Sequence, residues 1–161
     1  MYYDTEARII SADFRVKDNL HILIDEDGYF IMRNLKGHHD FIKTKLPKQK
    51  YNFVKFNHLN ENQYFIGGAD SIKIFDVRNN LEIESIPEFS NAIDILNDSK
   101  SYLVAKEDGL FLFSHQIEMI KEWKDVSSIS HFNMNIVNYQ NPDIVIVGTH
   151  NGDVFISDKE N

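Results

Sequence analysis

The chain has 161 residues, 42% of them apolar and 26% charged, a make-up that suits a folded globular domain and excludes disordered and collagen-like classes. It contains no cysteine, which removes disulfide frameworks, thiolate metal sites and cysteine nucleophiles together. A net charge of −8 repels nucleic acid and anionic membranes on average, leaving any such contact to a local patch.

The amino-terminal stretch MYYDTEARII lacks the basic start and apolar core of a signal peptide. No apolar run approaches the roughly 18 residues of a membrane span, and an intracellular protein, cytoplasmic or nuclear, is expected. Short strands then follow one another along the chain. The first spans Ile9 to Phe14, and from His21 comes HILIDEDGYFIMRN, an apolar run, a tight turn and a second strand; Phe41 to Leu46 closes the group. The order repeats as Phe53 to Phe56, YFIGGADSIKIFDVRN from Tyr64, and Leu81 to Ile86. It repeats again as Ala92 to Leu96, YLVAKEDGLFLFSHQ from Tyr102, and Ile117 to Trp123. In that last segment Ile117, Ile120 and Trp123 also fit one face of a short helix, which competes with the strand. A fourth group begins with Ile129 to Phe132, crosses an Asn-rich loop from Asn133 to Pro142, and ends in IVIVGTHNGDVFISD from Ile144.

The first residues after the turns, Tyr29, Ile72, Leu110 and Val154, are spaced by 43, 38 and 44 residues. The turns are Asp27-Gly28, Asp70-Ser71, Asp108-Gly109 and Asn151-Gly152, and three of these pairs favour two-residue type I′ hairpins, in which both central residues take φ > 0. Four antiparallel strands in each unit of about 40–45 residues is the pattern of a β-propeller blade. The expected fold is all-β: one domain of about four blades, at residues 7–46, 51–87, 91–124 and 126–158.

Two of these units resemble the WD-repeat family. Gly148-Thr149-His150-Asn151-Gly152-Asp153-Val154-Phe155-Ile156-Ser157-Asp158 is similar to the family's Gly-Ser-x-Asp-Gly-Thr-Ile-x-Ile-Trp-Asp segment, with Asn for the turn Asp and Ser for the Trp. Gly67-Gly68-Ala69-Asp70-Ser71-Ile72-Lys73-Ile74-Phe75-Asp76 is similar, with Phe-Asp for Trp-Asp. The other two units keep the hairpin pattern, and the family's Gly-His dipeptide is missing before every inner strand; Gly37-His38 falls after a third strand. The resemblance implies a binding scaffold without cofactor or chemistry of its own. Rings of the family usually have seven blades, so four units imply an open or partner-completed array, or closure in which residues 1–6 supply the last outer strand.

Candidate chemistry is sparse. The seven histidines (His21, His38, His39, His58, His115, His131 and His150) form no zinc-type pair, and His38-His39-Asp40 reads as a solvated loop. No G-x-S-x-G elbow or phosphate-cradling glycine loop is present, so the chain is read as a non-enzyme that takes no small-molecule substrate. Three surfaces are candidates for binding. In an open array the end faces would expose Ile22, Ile24, Phe30 and Met32 at one end and Val145, Val147, Val154 and Ile156 at the other, offering a site to another subunit or a second copy. The turns carry Asp25, Glu26, Asp27, Asp70, Glu107, Asp108 and Asp153, an acidic rim for a basic peptide unless the carboxylates serve the turns themselves. Lys43, Lys45, Lys48, Lys50 and Lys55 interleave with Tyr51, Phe53 and Phe56, a pattern that suits either an RNA-associated subunit or the lysine gatekeeping of sheet edges.

Overall fold

Runs such as Leu20–Asp25 and Gln63–Gly68 are buried at nearly every position, so each must cover both of its faces, which suits the central strands of stacked sheets. The computed structural model describes residues 7–36, 39–57, 60–68, 71–87, 92–95, 101–106, 109–114, 116, 118–123, 144–148 and 154–158. Contacts divide the chain into two compact units, Met1–Glu88 and Phe89–Asn161.

The first unit holds two four-stranded antiparallel sheets, each with its strands in chain order. Strands β1 (Ile9–Arg15), β2 (Leu20–Asp25), β3 (Tyr29–Asn34) and β4 (His39–Lys45) form one; β5 (Tyr51–Phe56), β6 (Gln63–Gly68), β7 (Ser71–Asp76) and β8 (Glu82–Pro87) form the other. The second unit repeats the arrangement with β9 (Ala92–Ile95), β10 (Ser101–Lys106), β11 (Gly109–Ser114) and β12 (Met119–Trp123), and adds the hairpin of β13 (Ile144–Gly148) and β14 (Val154–Asp158). Met119–Trp123 is therefore a strand and not the competing helix. Residues 1–6, the strand expected at Ile129 to Phe132 and the loop from Asn133 to Pro142 lie outside the described residues. The one short helix described, a 3-10 turn at Val16–Asp18, ends on Asn19 in the left-handed region at φ 56°. Asparagine tolerates that region better than most residues.

Cross-strand pairing of Ile22 with Met32 and Ile24 with Phe30 places these four on one face of the first sheet. That face packs on Val54, Phe56, Tyr64 and Ile66 of the second sheet. The rings of Phe30 and Tyr64 stack at 4.8 Å, and Tyr64 stacks on Phe75 at 5.3 Å. Each such side chain contributes about 1.5–3 kcal/mol by leaving water. Leu23 and Ile31, on the opposite face of the first sheet, are buried as well, as are Phe65, Ile72, Ile74 and Ile86 on the far face of the second.

The inner edges of the two sheets are joined by side chains in place of a strand ladder. The Ser11 hydroxyl accepts from the Val54 N–H at 3.1 Å and donates to the Val54 carbonyl at 3.4 Å, while Asp13 Oδ2 accepts from the Phe56 N–H at 2.8 Å. Arg15 closes the row: it donates to the Glu61 carbonyl and lies 4.7 Å from the centre of the Phe56 ring. Two-residue periodicity puts Ser11, Asp13 and Arg15 on one face of β1, so the first two reach the edge of β5 and the third reaches the Glu61 carbonyl beyond its end.

The first turn differs from the type I′ expectation. Gly28 is left-handed at φ 78° but Asp27 is not, and the Gly28 N–H bonds the Asp25 carbonyl at 2.9 Å. This is a turn over Asp25 to Gly28, in which one left-handed glycine after the turn suffices. In the third unit Gly109 is the first residue of β11, paired with Lys106, and its φ is not positive; the expected reason for glycine there is corrected to close packing, because a Cβ would lie 2.9 Å from the Trp123 carbonyl oxygen. Each outer strand carries a bulge at the corresponding place, leaving Phe41, Ile83 and Ile120 without a ladder partner. Bulges twist an edge away from further strand pairing.

Replacing Gly28 with valine should destabilise the protein by about 1 kcal/mol or more, since a β-branched residue is strained at positive φ. Gly67→Ala should also destabilise, because the new Cβ would fall 2.0 Å from the Phe53 ring and the ring would have to move. Urea denaturation of the two variants reads both effects as lowered midpoints.

Candidate interaction surface

The link Leu46 to Tyr51 joins the outer strand of the first sheet to the inner strand of the second. Its two ends are fixed. The Leu46 N–H donates to the Gly28 carbonyl at 2.9 Å, and the Tyr51 hydroxyl donates to the Pro47 carbonyl at 2.6 Å. Burial holds the Tyr51 phenol above its usual pKa, opposed by a bond to Gln49, which keeps it a donor at neutral pH. On one side of the link lies an open cleft of about 610 Å³, lined by Glu26, Asp27, Lys45, Lys48 and Gln49 among others. On the other lies a crevice of about 130 Å³ between Leu46, Pro47, Ile66 and Phe75, with Lys73 and Glu82 paired at 2.8 Å at its border.

The lysine run does not converge. Lys43 and Lys45 are on outer strand β4, with their ammonium groups 5.6 and 4.3 Å from the centre of the Tyr29 ring, and Lys45 also donates to the Asp27 carbonyl. Lys48 and Lys50 are exposed on the link, whereas Lys55 is on β5, the inner strand of the next sheet. Of the aromatics interleaved with them, Tyr51 and Phe56 are buried in the core and Phe53 covers Gly67. A lysine-aromatic track for bases, expected from adjacency in the chain, is thus divided between opposite edges of two sheets.

Of the acidic rim, Asp25 is buried and its Oδ1 accepts from the Tyr29 N–H at 2.8 Å, so this carboxylate serves the turn. Glu26 and Asp27 are exposed, and Glu26 accepts from the Arg8 N–H at 3.3 Å. Asp70, Glu107, Asp108 and Asp153 lie outside the described residues.

The end face expected on the first blade needs correction. Ile22, Ile24, Phe30 and Met32 are between 0 and 2% exposed, and form the core between the first two sheets rather than an open surface. In the last hairpin Val145 pairs with Ser157 and Val147 with Phe155, while Ile156 pairs with Ile146 and Val154 with Gly148. Val154 is 64% exposed.

No group of three or more histidine, aspartate or glutamate side chains suited to a metal occurs among the described residues. His38 lies outside them, and His39 and Asp40 begin β4. No described helix is long and apolar enough to cross a membrane. Asp76, at the end of β7, receives the Arg78 side chain and the Arg78 N–H, and the Arg78 bond lowers its pKa to about 2. Its own N–H donates to the Leu81 carbonyl and its carbonyl accepts from Asn80, which is left-handed at φ 58°, so Asp76 organises the turn into β8. Sequence reading missed this role, although Asp, Asn and Asn in DVRNN are turn-forming residues. No protein-family model matches the chain, and no curated protein matches it.

His21 is buried on β2, and burial, followed by the charge of Arg33, lowers its pKa against the opposing pull of Asp13. The unfolded chain therefore takes up a proton near pH 6.5 that the folded protein binds only at lower pH, and stability falls as pH drops below 6.5. Comparing urea midpoints at pH 7.5 and 5.5 should show a smaller drop in His21→Gln than in the unaltered protein. Equal drops in the two would exclude this histidine as a source.

Proposed function

We propose that the chain is a WD-repeat-like array of blades acting as a non-enzymatic protein-interaction scaffold, a subunit of a larger intracellular assembly. The observation that carries this reading is the repeated four-stranded sheet whose central strands bury both faces. Such a unit reaches full burial only when stacked against neighbours, which is the property of repeat scaffolds. The turn built by Asp76 lends further support, because Phe75-Asp76 stands where the family resemblance places Trp-Asp. Several polar side chains of the first unit serve structure: Ser11 and Asp13 bond the β5 backbone, Asp25 the first hairpin and Asp76 the turn into β8. Nucleic acid is the less favoured partner, since the lysines do not form one track and the chain carries a net charge of −8.

Isolation of the tagged chain from its native cells under nuclease and about 0.5 M salt tests the choice, because phosphate contacts weaken steeply with salt. The scaffold reading expects a protein complex of stable mass in light scattering. An assembly that dissolves with nuclease or salt would replace it with the ribonucleoprotein reading.

A further inference from the structure

The outer margin of the first unit carries an apolar crevice, a lysine-rich link and an acidic-apolar strand close together. The crevice between Leu46, Ile66 and Phe75 has a volume of about 130 Å³, somewhat less than the roughly 150 Å³ of a cavity that admits benzene, so it suits one branched aliphatic side chain. The segment Lys43 to Lys50 has four lysines and no carboxylate in a chain of net charge −8. Lys48 and Lys50 are exposed. On β8, Glu82 lines the crevice, and its neighbours Leu81 and Ile83 are 63% and 51% exposed. Ile83 is the bulge residue, freed from the ladder, and Glu84 beside it is exposed.

We propose that this margin is a self-association surface, on which Ile83 of one copy enters the Leu46–Ile66–Phe75 crevice of a second copy while Glu84 meets the partner copy's Lys48 and Lys50. Size and charge both match: an aliphatic knob next to exposed Glu84 faces an apolar hole lined by Leu46, Pro47, Ile66 and Phe75, and the link that lines this hole also carries the exposed Lys48 and Lys50. Because Glu82 borders the crevice, knob and hole adjoin in one molecule. A two-fold axis beside β8 therefore satisfies both contacts at once, giving a closed pair and not an open filament. The contact is made by side chains, since the bulge at Ile83 interrupts edge-to-edge strand pairing. The inference does not depend on the scaffold reading; it concerns the outer margin of the sheets, whichever partner the rest of the protein binds.

Sedimentation equilibrium of the full chain at concentrations up to about 200 μM, which reveals pairs with micromolar dissociation constants, tests it. The expected mass at the upper end is twice 18.8 kDa. Ile83→Asp should abolish the pair, and Lys48→Glu with Lys50→Glu should weaken it about tenfold. Adding Glu84→Lys to that double variant should restore the affinity, which a merely unfolded variant would not do. All four positions are exposed, so urea midpoints should remain unchanged. A monomer throughout the range, a dimer indifferent to Ile83→Asp, or no rescue by the charge exchange would overturn the assignment. Binding of a different protein through Ile83 by a chain that stays monomeric would overturn it equally.

Discussion

The first unit depends on two side chains of β1 reaching the open backbone edge of β5, and on a third that bonds just beyond its end. A sheet edge exposes unpaired N–H and carbonyl groups, and burying one without a partner costs about 1–3 kcal/mol. Here Ser11 serves both groups of Val54, Asp13 serves the Phe56 N–H, and Arg15 reaches the Glu61 carbonyl while covering the Phe56 ring. These bonds end the ladder at β5 without leaving its edge bare. They also fix where the apolar faces meet, because Ser11 and Ile24, like Asp13 and Ile22, are cross-strand pairs on the same face. The polar row and the core made by Ile22, Ile24, Phe30 and Met32 are two parts of one surface.

That arrangement has a functional consequence. When Ser11, Asp13 and Arg15 are committed to a neighbouring backbone, the inner strand keeps them from free chemistry, and variation is left to the turns and outer margins. There the structure offers exposed Lys48 and Lys50, a small aliphatic crevice, and Leu81 and Ile83 beside exposed glutamates. The proposed binding of another protein surface by shape and charge rests on features of this kind.

Much of the architecture was legible from periodicity. Central runs such as HILID and YFIGG are too apolar for a strand with one wet face, and Asp and Gly between them mark hairpins. What the sequence did not reveal turns on displacements of a single residue. One left-handed glycine at position 28 replaces a two-residue type I′ turn, and the bulges at Phe41, Ile83 and Ile120 occur in strands with no glycine to announce them. The expected open face of the first sheet failed for a different reason: an apolar face has the same sequence whether solvent, a partner or the next sheet covers it. For the lysines, nearness in the chain misled, because β4 and β5 are consecutive yet occupy outer and inner edges of successive sheets.

Amide hydrogen exchange at Phe56 tests the link between β1 and β5 most directly, because this N–H has Asp13 as its acceptor and lies on the side of β5 away from β6. Asp13→Ala should speed exchange at Phe56 strongly while leaving amides in the β6–β7 ladder near their original rates, and Asp13→Asn, which keeps an acceptor oxygen, should speed it far less. Unchanged protection at Phe56 in Asp13→Ala would contradict the claim that the side chains of β1 hold the edge of β5.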